Sequence, residues 1–461
     1  MFSRNTYIQR RQALRERLGG GLVLLPGNLD APINFAHNVY PFRQDSTFAY
    51  FFGVSRPGLS AVIDLDGGGE AVFGDETRFE DRIWLGEGQP LAQQCAAVGC
   101  ATVKPSAELQ GVVEKALKRG RTVHFLPPYR VETTLLLAQL LASSPHEVAG
   151  AASPVLIAAV VALREIKDGS EIEQIEQAMA VAREMHLAAM GATRPGVLEY
   201  EVVAAMRSVL GRHGLQEAYQ PVFSRRGEIL HNLEHGARLE AGDLVVNDAG
   251  ASTLLGYASD VTRTLPVGGR FLPHQRELYT LLVQVQEEAI ATLRPGLAFA
   301  DVHRLAAQQM VEGMSELGFF KGDTAQVVES GAYAICFPHG LGHQLGLDVH
   351  DMEALGEDHV GYDSDVSRSQ QFGLCNLRMG KRLQPGMVLT VEPGIYFIPG
   401  LIEQWHAQKR HAGMICYERF KAYAGFGGMR VEDVVAIGTT SARVLGPHIP
   451  KRVGEVEAAM S

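Results

Sequence analysis

The chain has 461 residues, with 42 Lys and Arg against 52 Asp and Glu, a formal net charge of −10 with His neutral. Hydrophobic residues make up 46% and charged residues 20%, a globular composition that excludes a disordered chain. The acidic balance argues against a nucleic-acid partner held by bulk electrostatics, and at about 150 residues per domain the length predicts two or three domains.

The N-terminal stretch MFSRNTYIQRRQALRERL has no apolar core before a cleavage site and reads as an amphipathic helix, not a signal peptide. Five cysteines without a CxxC pair argue against a disulfide framework or a thiolate zinc site, and place the chain in a reducing, cytoplasmic compartment. Residues 1–160 predict a small α/β unit. GLVLLP (Gly21–Pro26) and LSAVIDL (Leu59–Leu65) suit buried strands, and VEKALKRG suits a helix ending at Gly120. The aromatic segment YPFRQDSTFAYFFG (Tyr40–Gly53) reads as strand and loop packing. The longest apolar run, Val155–Leu163 between Pro154 and Arg164, is shorter than the roughly 20 residues a bilayer requires. It reads as a buried strand, and no membrane partner is expected.

Beyond the join, Ser170 with Glu173 forms an expected capping box. Ile172, Ile175, Met179, Ala182 and Met185 then fall on one helical stripe. A second helix is expected from Glu199 to Gly211, and another over Leu278–Leu293, stopped by Pro295. Between them the chain alternates strands and helices.

Polar chemistry concentrates in residues 161–461. In LVVNDAGASTLLGYASDVTRT, Asp248 and Asp260 lie symmetrically about Leu254. A hairpin in that register would oppose the two carboxylates, with Cα atoms about 4.5–5.5 Å apart. Like charges so placed repel unless a cation lies between them; the alternative is two solvated strand-end aspartates. PHGLGHQLGLDVHD carries His339, His343 and His350 among glycines, and imidazole is the commonest metal ligand and proton carrier near neutral pH. Glu392 in VLTVEPGIYF and Glu432 in GGMRVEDVV each follow strand-like runs, where a buried carboxylate is costly without a partner. Two Asp, two Glu and at least one His, with no thiolate, suit two hard or borderline divalent ions, Mn²⁺ before a structural Zn²⁺.

The ordered set DAG…SDVTRT, HGLGHQLGLDVHD, TVEPGIYF and GGMRVED resembles the pita-bread metallopeptidase family, over residues 165–461. YPFRQDSTFAYFFG resembles the accessory domain found in the aminopeptidase P and prolidase branches, which methionine aminopeptidases lack. The resemblance implies an α/β accessory domain over residues 1–160, followed by a pita-bread α+β catalytic domain over residues 161–461.

It further implies that Asp248, Asp260, His343, Glu392 and Glu432 ligate two divalent ions (Mn²⁺, with Co²⁺ or Zn²⁺ as alternatives), Asp260 and Glu432 bridging. His231 matches a substrate-side His, His339 and His350 match substrate-contacting or supporting positions, and Arg430 matches an Arg that orders the carboxylates. Glu392, with His350 and His339, is then the catalytic group. Two features resemble the Xaa-Pro dipeptidase branch: the insert FIPGLIEQWHAQKRHAGMICYERFKAYAGF between the two Glu residues, and Arg378, which matches an Arg that holds a dipeptide carboxylate. Trp84 matches a Trp that reaches a neighbouring subunit's site, which implies a homodimer or dimer of dimers. The implied substrate is a proline-containing di- or oligopeptide. The rival expectations are an Xaa-Pro aminopeptidase acting on longer peptides and, more remotely, a peptide-binding module without catalysis. AGASTLLGYAS is one residue longer than the family's usual spacing, which puts the hairpin tip in question. Asn232 replaces the aromatic that often follows the substrate-side His, so specificity near His231 is expected to differ.

Overall fold

In the computed structural model, which describes residues 1–461, two units are distinguished: Met1–Arg164 with Met352–His359, and Glu165–Asp351 with Val360–Ser461. The first unit is organised on the strand Leu22–Pro26. It pairs antiparallel with Ser60–Asp64 and parallel with Val123–His124, within a five-stranded sheet completed by Glu70–Phe73 and Val103–Lys104. The N-terminal helix spans Arg4–Arg17, and Glu108–Lys118 is helical as its apolar spacing predicts.

Two segments of this unit differ from their expected structure. Ser46–Phe52 is a helix. The Asp45 side chain accepts the Phe48 amide at its start, and Gly53, at φ 60°, ends it in the left-handed region. Gln44 of the same segment is a buried strut, accepting the Asn28 amide and donating to the carbonyls of Val54 and Arg56. The apolar run is also helical, over Pro154–Arg164. A continuous apolar run carries no periodicity to separate strand from helix. Pro154 at the first helical position, with its φ already set, and three alanines in the run favour the helix.

The second unit opens with the helix Gly169–Ala192. Its cap is Asp168, whose side chain accepts the Ser170 and Glu171 amides, with Glu171 closing the box in place of Glu173. Ser170 is already inside the first turn. Ile175, Met179, Ala182 and Met185 are buried, and Ile172 is half-buried. Helices Glu199–His213, Pro273–Thr292 and Phe299–Glu316 follow. Together they cover a core that includes Phe223, Val245, Leu265, Met310 and Leu389.

The sheets set the site. Leu244–Asp248 runs between Val222–Ser224 and Thr262–Pro266, and Asp248 pairs with Thr262. Asp248 and Asp260 are therefore offset along the hairpin and do not oppose each other. The same register continues outward, with Ser252 opposite Ala258, so Gly250 faces Asp260. A Cβ at Gly250 would lie 1.9 Å from the Ser259 carbonyl oxygen, which leaves room for glycine alone. The tip, Thr253–Tyr257, is closed by the hydrogen bond from the Thr253 amide to the Tyr257 carbonyl.

Direct opposition occurs elsewhere. Val391 pairs with Asp433 and Gly394 with Arg430. That register places Glu392 opposite Glu432, in a gap where Pro393 has no N–H to continue the ladder. The insert between the two glutamates folds as helices Pro399–Ala407 and Tyr417–Lys421.

Candidate metal centre

Asp248 ends its strand, Asp260 precedes the next, and Glu392 and Glu432 flank the interrupted ladder. His343 is delivered by a loop that lies along Val388–Val391. Its backbone exchanges hydrogen bonds with Thr390, which donates its amide to the His343 carbonyl and accepts the His343 amide on Oγ1. His343 Nδ1 lies 3.0 Å from the Gln344 carbonyl. A carbonyl only accepts, so Nδ1 carries the proton and Nε2 turns its lone pair to the carboxylates. Nε2 is 3.4 Å from Asp260 Oδ2 and 3.6 Å from Glu392 Oε1. Donor atoms of Asp260, His343 and Glu432 all lie within 4.8 Å of one another.

Hydrogen bonds aim the remaining oxygens. Thr262 Oγ1 donates to Glu432 Oε2 at 2.7 Å and accepts from Arg430 Nε at 3.1 Å. Arg430 Nη2 reaches Asp248 Oδ2 at 2.5 Å, and its Nη1 donates to the Tyr396 hydroxyl at 2.9 Å. Tyr396 in turn donates to His339 Nε2 at 2.9 Å, because His339 Nδ1 is committed to the Gly340 carbonyl at 2.8 Å. The Tyr219 hydroxyl touches both aspartates, 2.5 Å from Asp248 Oδ1 and 2.5 Å from Asp260 Oδ1. Behind them His186 donates to the Ala249 carbonyl and accepts from Asn247, bracketing Asp248. Tyr219, Tyr396 and His186 carried no sequence signal for these positions. Each arrives from a separate segment; Tyr219 and His186 have unremarkable neighbours, and Tyr396 lies inside TVEPGIYF without a signal for this role.

Burial, together with the charge of Asp248, pushes the Asp260 carboxyl well above the usual carboxylate range. Glu392 and Glu432 are raised likewise, by burial and then by Glu432 and Asp260 respectively, while the Arg430 cation opposes the shift in both. Burial and the same cation lower His339 to about 3, so its ring is neutral at pH 7.

The substrate-side residues lie around this cluster. His343 and His350 stack edge to face with ring centroids 4.2 Å apart. His231 stands at the rim, exposed to solvent. Partial desolvation and then the Arg430 cation lower its pKa, with Arg378 and His350 acting in the same direction. Arg378 also lowers Glu392, which places its guanidinium within electrostatic reach of both. The loop bearing His231 is held down at two points. Asn232 Nδ2 donates to Ser224 Oγ at 2.8 Å, and a Cβ at Gly227 would lie 2.6 Å from the Gly428 carbonyl oxygen. Trp84 belongs to the other unit, 85% exposed on a helix, Phe79–Leu85, that buries none of its residues.

The donor set fits hard divalent cations. It offers four carboxylates and one imidazole lone pair, no thiolate, and a burial that favours either protons or cations on the oxygens. A mixed α/β fold with such a cluster between its sheets defines a metal-dependent hydrolase. Residues 173–439 match metallopeptidase family M24, and residues 7–124 match the aminopeptidase P N-terminal domain. The chain belongs to family M24, a metallo-exopeptidase with the pita-bread catalytic domain and an aminopeptidase P-type N-terminal domain.

Human Xaa-Pro dipeptidase is 30% identical over 484 residues, covering 98% of this chain and 92% of the relative. Xaa-Pro aminopeptidase from Escherichia coli is 30% identical over 471 residues, covering 99% and 98%. A solved structure of E. coli aminopeptidase P in complex with substrate has a TM-score of 0.81 at 28% identity, covering 100% of this chain and 98% of that one. The structure of proline aminopeptidase P II from Yersinia pestis has a TM-score of 0.82 at 28% identity, covering 100% and 99%. The two activities are thus matched about equally. No helix is long and apolar enough to cross a membrane.

Proposed function

We propose that this chain is a dinuclear metal-dependent peptidase that hydrolyses Xaa-Pro bonds and prefers Xaa-Pro dipeptides. The observation that carries the dipeptide preference is Arg378, a cation that acts on both His231 and Glu392. A guanidinium there suits a free carboxylate one residue beyond the scissile bond.

Asp248, Asp260, His343, Glu392 and Glu432 would hold two divalent ions, Mn²⁺ by donor chemistry. Bound there, the ions would supply Lewis acidity and a water acidic enough to react near neutral pH. Glu392 takes the proton of the attacking water and hands it to the leaving prolyl nitrogen. His350, beside His343, donates to the oxygen of the Xaa carbonyl as charge develops on it. His339, kept neutral and oriented by Tyr396, contacts the substrate from the same side. His231 and Arg378 hold the proline carboxylate, and Arg430 keeps Asp248 aimed.

The deciding experiment compares turnover of Xaa-Pro and Xaa-Pro-Yaa after Mn²⁺ loading. Strong preference for the tripeptide would move the chain to the aminopeptidase branch. Less than one bound ion per chain, with neither peptide cleaved, would leave a peptide-binding module.

We also propose a homodimer or dimer of dimers. Phe79, Ile83, Trp84 and Leu85 are all exposed on one short helix, an apolar face of the kind that marks interfaces. Sedimentation of the native chain against Trp84→Glu tests this, and a monomer in both would overturn it. The five free cysteines support a cytoplasmic, reducing location.

A further inference from the structure

On the reverse side of the hairpin from Asp248, Arg263, which pairs with Asn247, opens a buried polar layer that takes no part in the proposed chemistry. Arg263 is 1% exposed and spends all its donors. They go to the carbonyls of Thr262, Glu432, Ile449 and Pro450 and, at 2.7 Å, to Asp433 Oδ1. Asp433 follows Glu432 directly. Its other oxygen, Oδ2, accepts Lys451 Nζ at 2.8 Å and Gln286 Nε2 at 2.9 Å. Lys451 Nζ also donates to Gln286 Oε1 at 2.7 Å, and Gln286 Nε2 reaches the carbonyl of Val391, the residue before Glu392, at 3.3 Å.

Charge neutrality needs only one cation here. Arg263 already matches Asp433, yet a second cation, Lys451, is buried beside it, at a desolvation cost that ion pairs seldom recover. Gln286 Nε2 already ties Asp433, on the Glu432 side of the interrupted ladder, to Val391 on the Glu392 side. What Lys451 adds is a brace on that tie, since its Nζ holds Asp433 Oδ2 and Gln286 Oε1 together. Pro393 removes the ladder hydrogen bond that would otherwise hold those two positions together.

We propose that Lys451 is a positioning residue for the metal centre: through Asp433 and Gln286 it fixes the two backbone positions that carry Glu392 and Glu432, and thereby the separation of their carboxylates. The C-terminal segment Ile449–Lys451 is on this account part of the metal site's scaffold. The proposal rests on Glu392 and Glu432 being ligands.

The test titrates full-length apoprotein with Mn²⁺ by calorimetry, for the wild type, Lys451→Met and Lys451→Arg, with apoprotein Tm measured alongside. Supporting spectra come from Co²⁺ loading. Lys451→Met should weaken the second Mn²⁺ about tenfold, alter the Co²⁺ absorption bands and lower kcat with KM little changed. Lys451→Arg should restore most of the affinity. If Lys451→Met does not fold, Gln286→Leu keeps the buried ion pairs and should still weaken the second ion by about threefold, below the usual range for residues behind ligands. Wild-type affinity for both ions in Lys451→Met, at whatever Tm, overturns the proposal. A wild-type chain that binds no Mn²⁺ overturns the ligand assignment and this inference with it.

Discussion

Gly342 lies against Thr390 so closely that a Cβ at Gly342 would stand 2.0 Å from the Thr390 carbonyl oxygen. This approach brings His343 alongside the strand that ends at Glu392, and it depends on the missing side chain. Gly342→Ala must push backbone against backbone, at a cost of about 1–3 kcal/mol. It should also move His343 Nε2 out of its place near Asp260 and Glu392. Urea unfolding checks the stability loss and Mn²⁺ calorimetry the loss of affinity; unchanged metal binding would show that the contact does not place the imidazole.

The Tyr219 hydroxyl is shared by the two aspartates. Tyr219→Phe removes a bond to a charged acceptor, lowering apoprotein stability by about 1–2 kcal/mol. It should weaken Mn²⁺ binding by about tenfold, as for other residues that orient ligands from behind. Calorimetry of the variant decides it, since a purely packing role for the ring would leave affinity intact.

Two buried histidines set an acid limit, His186 behind Asp248 and His303 away from the carboxylates. Burial lowers His186 to about 4 and His303 to about 3, from an ordinary 6.5. Both stay neutral in the folded chain and take up protons on unfolding, so their contribution is fully present above pH 6.5 and is lost as pH falls toward those values. Each steepens the decline by about 1.4 kcal/mol per pH unit. His303 Nε2 meets the Tyr333 hydroxyl at 2.9 Å. The pair His303→Phe with Tyr333→Phe should therefore flatten the stability profile between pH 6.5 and 4. An equally steep profile in the double variant would remove His303 from the account.

Arg378→Ala should raise KM for Xaa-Pro dipeptides by roughly 10- to 100-fold, the worth of a charge-assisted pair. Cleavage of peptides blocked at the C-terminus should change little, because they lack the carboxylate. Lysine at this position should recover part of the loss, lacking the bidentate fork. Steady-state kinetics on the matched free and blocked substrates reads this directly.

The fold class and the polar motifs were legible because they are local strings with strong turn and strand signals around them. Where sequence reading departed from the structure, the missing information was tertiary or positional. The register of the Asp248–Asp260 hairpin was inferred from symmetry about Leu254, but the strand pairs Asp248 with Thr262, so the turn is not centred there. Val155–Leu163 offered no periodicity, and its helix begins with Pro154. Asp45 before Ser-Thr-Phe is a helix start signal, set in a segment whose aromatic density reads equally as strand and loop packing. Tyr219 and Lys451 could not be found this way. The nearest partners of their side chains lie 29 and 18 residues distant, and the others lie farther still.

Arg430 and Asp248 meet across 182 residues of chain, and Thr262 and Glu432 across 170. Any ion held by both aspartates and both glutamates would therefore act as a reversible cross-link, closing loops of that length as a disulfide would in a thiol-rich chain. Loop entropy grows slowly with length, and a ligand that binds only the folded state stabilises it by mass action. The catalytic unit would then open to proteases chiefly after releasing metal, so the protein's lifetime would follow metal supply as well as temperature.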